Sequence, residues 1–154
     1  MADRGEYLIA WLAEFLKNKD LIQRRIARME RLDAGLRVER KDGTAVVYVP
    51  APKLDEDALA KAGGKAAVGI ITFNTSANIA FLKKRWDAFA SLGRHAQIIF
   101  INPASTREMR WIIFPATQSM LTKEKALLTS IDAIRAGVDE LTEADIQKLV
   151  EDHG

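Results

Sequence analysis

The chain reads as a single α/β domain whose mixed β-sheet, a hairpin plus a parallel βαβ unit, is flanked by helices. Three features predict this. Residues 66–73 (AAVGIITF) and 97–101 (QIIFI) are continuous apolar runs, the pattern of strands covered on both faces. Between them Ile79, Leu82, Trp86 and Phe89 recur at helical spacing, so strand, helix and strand form a right-handed crossover. Upstream, Asp42-Gly43 separates two β-rich runs, which signals a two-residue type I′ hairpin with φ > 0 at both turn positions. The predicted order is α-β-β-β-α-β-β-α-α, over residues 1–154 as one domain.

The N-terminal helix is predicted over residues 4–33. No proline interrupts it, and Leu8, Trp11, Leu12, Phe15, Ile22, Ile26 and Met29 share one arc at 100° per residue. One helix, or two nearly coaxial helices with a joint near residues 18–20, satisfies that phase. Gly35 stops it. The sheet core then occupies residues 35–115. Strands are expected at 36–41 and 44–49, and Pro50 and Pro52 end the second. Residues 53–65 are a polar loop with at most a helical turn. The crossover helix closes at Gly93, the next strand stops at Asn102-Pro103, and a further strand, RWIIFP, stops at Pro115. Two helices fill residues 120–151; the second opens on Thr142-x-x-Asp145, a capping-box pattern.

Composition removes several function classes. With no cysteine, disulfides, thiolate metal sites and a cysteine nucleophile are excluded, and His95 and His153 are the only imidazoles. Lys+Arg total 23 against Asp+Glu 21, too even a balance for the net charge alone to imply a nucleic-acid partner. No signal peptide or membrane span is read, so the expected location is cytoplasmic, without a membrane partner. No Walker loop, G-x-G-x-x-G or H-E-x-x-H motif is present, and no cofactor or metal ligand set is expected.

The order of elements from Asp20 to about Asn102 resembles the restriction-endonuclease-like, or PD-(D/E)XK, topology. The resemblance implies an acid at the start of the second strand and Glu/Asp-x-Lys on the third, which together hold Mg²⁺ and position water. Asp42 falls near the first of these positions. The predicted third strand, Val68–Phe73, offers neither acid nor lysine, so a non-catalytic domain is expected.

Two groups of residues are candidate sites. Lys17, Arg24, Arg28 and Arg31 fall on one face of the predicted helix, and Arg37, Arg40 and Lys41 continue the row on the hairpin. Such a row can track nucleic-acid phosphates or simply solvate a helix face, and Asp20 and Glu30 interrupt it. The second group is Asn74, Thr75 and Ser76, with Asn102, Ser105 and Arg107. They lie at the carboxyl ends of adjacent parallel strands, where α/β sheets bind ligands, and the first three also suit a helix cap. A homo-oligomer formed through the C-terminal helices or a sheet edge is the remaining expectation. The buried set is expected to include Ile70, Phe73, Trp86, Phe89, Ile99 and Phe100.

Overall fold

The computed structural model describes residues 3–153, the side chains at 124 and 125 aside. The elements are α1 (Arg4–Gln23), β1 (Ile26–Leu32), β2 (Gly35–Arg40), β3 (Ala45–Pro50), α2 (Glu56–Ala62), β4 (Val68–Phe73), α3 (Ser76–Lys84), α4 (Trp86–Ala90), β5 (Gln97–Ile101), β6 (Arg110–Ile113), α5 (Pro115–Leu121), α6 (Glu124–Arg135) and α7 (Glu143–His153). The domain is α/β, and one mixed sheet of six strands carries it in the order β1-β2-β3-β4-β5-β6. The predicted hairpin is β2–β3, and the predicted parallel neighbours are β4 and β5, with Ile70 beside Ile98 and Ile71 beside Ile99. β3 also runs parallel to β4, so α2 serves a second crossover where only a polar loop with one helical turn is predicted.

The two faces of the sheet bury separate cores. On one, Val68, Ile70, Ile98, Phe100 and Trp111 pack under α2, α3, α4 and α6 through Leu59, Ile79, Leu82, Trp86, Phe89 and Ile131. On the other, Leu36, Val38, Tyr48, Ile71, Phe73, Ile99 and Ile101 pack against Tyr7, Leu8 and Leu12 of α1 and Ile146 and Val150 of α7. All six residues of β4 are buried, as a strand covered twice must be. The expected core residues are all buried, Trp86 at 7% exposure being the least so.

The principal correction concerns residues 4–33. Helix α1 ends at Gln23, Arg24 turns into the left-handed region (φ 49, ψ 46), and the remainder is the edge strand β1. The Asp20 carboxylate fixes the reversal by accepting from the Arg25 and Ile26 N–H groups at 2.6 and 3.0 Å. The helical periodicity of residues 24–33 in the sequence has an identifiable cause. A bulge at Ala27 shifts the register, so Ile26 and Met29, three residues apart, both pack toward the α1 side. Three is also close to the spacing of a helical turn, so in the sequence the apolar phase of α1 continues into β1. Ile22, placed on that phase, is 94% exposed.

Smaller corrections follow from local chemistry. In the β2–β3 connection only Gly43 has positive φ, and Arg40 donates to the Thr44 carbonyl, giving a three-residue loop in place of a type I′ turn. Asp42 favours it by accepting from both the N–H and the hydroxyl of Thr44. The crossover helix is broken at Arg85, whose guanidinium is drawn to Glu56 of α2 by two hydrogen bonds. The capping box at Thr142 forms in both directions, Thr142 N–H to Asp145 and Asp145 N–H to Thr142 Oγ1.

Candidate functional site

The chain reversal at the end of α1 creates a cleft. Because Asp20 turns the chain at Arg24, and because Lys41 N–H donates to the Arg25 carbonyl at 2.8 Å, the α1–β1 link lies against the β2–β3 loop. A cleft of about 550 Å³ opens between them, lined by Leu16, Lys19, Asp20, Arg24, Arg25, Ile26, Val38, Arg40, Lys41, Asp42 and Tyr48. Tyr48 forms part of its floor. A side chain on Gly69 would collide with the Tyr48 ring, so the glycine of β4 is what lets that ring lie flat on the sheet. Burial pushes the Tyr48 hydroxyl above its ordinary pKa, against the opposing pull of the Arg40 charge.

The electrostatics of this cleft are one-sided. Five cations, Lys19, Arg24, Arg25, Arg40 and Lys41, line the cleft with two carboxylates, and none of the five enters an ion pair with a described residue. The Lys19 ammonium lies at the rim, 5.9 Å from the Phe15 ring of the neighbouring groove. Both carboxylates are engaged locally. Asp20 accepts from two backbone N–H groups, and Asp42 accepts from Thr44, whose hydroxyl and N–H hold its carboxyl below the usual range. The carbonyl end of α1 contributes a partial negative charge that offsets some of this positive field.

The predicted basic row therefore divides. Arg24, Arg40 and Lys41 meet in the cleft. Lys17 stays on α1 and contacts Glu14 at 3.9 Å. Arg31 reaches across to Glu6, and Arg28 and Arg37 lie on the opposite face of the β1–β2 ribbon, paired with Glu30 and Glu39. Cross-strand registers set Arg28 beside Glu39 and Glu30 beside Arg37, so that face is a checkerboard without net charge. Lys19 and Arg25 complete the cleft, although neither belongs to the predicted row. The adjacent Arg24-Arg25 pair is the signal in the sequence; on a continuous helix the two side chains would diverge, and only the reversal at Arg24 brings both to the cleft.

The second candidate group is drawn together but filled by the chain itself. Asn74 is fully buried; its Nδ2 donates to the Val138 and Asp139 carbonyls, and its Oδ1 accepts from Trp111 Nε1 at 2.7 Å. Asn102 Nδ2 donates to the same Asp139 carbonyl at 2.7 Å, and Ser105 Oγ accepts from Asp139 N–H. The Asp139 carboxylate takes hydrogen bonds from Arg107, from Thr106 N–H and from the Thr106 hydroxyl. These bonds, Arg107 first, hold its pKa down at about 2. Thr75 caps α3 by accepting from Asn78 N–H, and Ser76 begins that helix, exposed. The crevice at the strand ends is thus closed by the α6–α7 connection rather than open to a ligand.

Other expected features resolve structurally. Lys83, in the last turn of α3, pairs with Asp132, and Arg85, at the α3–α4 break, pairs with Glu56. Trp111 stacks on Phe100 with ring centroids 4.1 Å apart, and Trp86 Nε1 donates to Ser119. A groove beside Trp11 and Phe15 has its aromatic face occupied by the Arg110 guanidinium, 4.5 Å above the Phe15 ring. With β1 counted, the third strand of the chain is β3, Ala45–Pro50, which carries neither acid nor lysine, as β4 also does not. Among the described residues no group of three His, Asp or Glu side chains is placed to share a metal ion, and no helix is long and apolar enough to cross a membrane. Comparison with protein-family models, curated proteins and solved structures gives no match to this chain.

Proposed function

We propose that the chain is a non-catalytic, cytoplasmic nucleic-acid-binding domain of endonuclease-like topology, and that it holds phosphates in the cleft between α1 and the β2–β3 loop. The observation that carries this reading is the convergence of five unpaired cations in a concave site whose carboxylates are bound to the chain itself. Elsewhere the cations that enter no ion pair, such as Lys53, Lys84, Arg94 and Lys148, do not line this cleft. Arg28 and Arg37, on the neutral checkerboard, offer no comparable field. Among the cleft residues the only aromatic is Tyr48, buried at 3% exposure, so contact is to the backbone and not to stacked bases. Sequence preference should be slight.

The test is the salt dependence of binding. Five phosphate contacts on duplex DNA give a slope of log K against log salt of about −4.5, at about −0.9 per contact. Fluorescence anisotropy with a labelled duplex should show that slope, made shallower by about one unit in Arg40→Ala or Arg25→Ala. Arg28→Ala should leave it unchanged. Absence of binding at low salt, or equal effects of Arg28→Ala and Arg40→Ala, would refute the cleft as the site.

A further inference from the structure

β1 stands at the edge of the sheet, with β2 its one neighbour among the described residues. Which backbone groups it turns outward follows from the hairpin. The two-residue turn Asp33-Ala34 closes on Leu32 and Gly35, so Leu32, Glu30 and Arg28 bond inward to β2. Met29 and Arg31 then present their N–H and C=O groups outward, unpaired, and Ala27 follows at the bulge.

We infer that this edge pairs antiparallel with β1 of a second copy, about a twofold axis at Met29, joining the two sheets into one. An antiparallel neighbour must set outward-facing residues against outward-facing residues, which leaves few registers. An axis at Arg28 opposes Arg28 to the partner's Arg28, an axis at Glu30 opposes two glutamates, and an axis at Arg31 opposes two arginines. An axis at Ala27 falls on the bulge. With the axis at Met29, Arg28 faces the partner's Glu30 and Glu30 faces the partner's Arg28, while Met29 meets the partner's Met29. Both ion pairs occupy the closely spaced, non-hydrogen-bonded positions, where facing side chains interact most strongly.

Within one copy Arg28 and Glu30 already sit 3.0 Å apart, half exposed on the face away from α1. Each is therefore held at the height its counterpart would need. Charges on an edge strand ordinarily keep strands apart. Here they forbid the competing registers and leave one that is self-complementary, as an isologous contact requires.

The test uses charge reversal and mixing. Sedimentation of the full chain across a dilution series should show a concentration-dependent species of twice the 17.2 kDa monomer mass. Arg28→Glu alone and Glu30→Arg alone should each abolish it, because each sets like charges across the axis. An equimolar mixture of the two variants should restore it, since unlike charges then face each other at both positions. Restoration also shows that both variants are folded. A wild-type chain monomeric at every concentration, single variants that still dimerise, or a mixture that stays monomeric would each overturn the pairing.

Discussion

Replacing Asn74 by alanine should be among the most damaging polar substitutions in the domain. Its side chain has three partners: Trp111 Nε1 at 2.7 Å and the carbonyls of Asp139 and Val138 at 3.0 and 3.3 Å. The Asp139 carbonyl keeps a second donor, Asn102 Nδ2. The Trp111 N–H and the Val138 carbonyl lose their side-chain partner. Each buried group left without a partner costs about 1–3 kcal/mol, so Asn74→Ala should lower stability by about 3–4 kcal/mol. Urea unfolding followed by far-UV circular dichroism measures this without relying on Trp111 fluorescence. Trp111→Phe removes the donor yet keeps a ring against Phe100, so the double variant should lose less than the sum of the two singles, by about 1 kcal/mol. A loss below about 1 kcal/mol for Asn74→Ala, with strictly additive singles, would refute the hydrogen-bonded closure as a source of stability.

Truncating Trp86, buried at 7% exposure and bonded to Ser119, should cost about 3–5 kcal/mol, and an unchanged thermal midpoint would place it outside the core. Asp139 makes stability depend on pH in the acid range. Its folded pKa, about 2, lies below the ordinary 3.8, so its contribution is complete above about pH 4 and disappears as pH falls through about 2. Urea midpoints of wild type and Asp139→Asn across that window should converge toward low pH; a constant difference would exclude the linkage.

The sheet core was readable because burial on both faces writes itself as unbroken apolar runs, and β4 and β5 needed no long-range information. The Asp42-Gly43 loop announced a hairpin, although the asparagine-like behaviour of Asp42 toward Thr44 chose a different turn. β1 was concealed by its bulge, and residues such as Ala27, Arg28, Met29 and Glu30 favour helices intrinsically; pairing with β2 overrides that preference. The cleft was half visible, since its arginines stand in adjacent pairs, but their convergence depends on where α1 stops. That Asp139 would fill the crevice beside Asn74 and Asn102 could not be read locally, because 65 positions separate Asn74 from Asp139.

The strands lie side by side in the order in which they occur along the chain. No strand must be threaded between two that have already paired, so each addition to the sheet closes a local connection, the crossover from β4 to β5 being the longest, and the entropy lost grows only slowly with that length. The growing polypeptide can therefore extend its sheet one edge at a time, from β1 toward β6, as residues emerge. Only the last helix departs from that economy. α7 must return across the whole length of the chain to α1, where Arg4 meets Glu143 and Tyr7 meets His153, and its docking is the step that seals the second core.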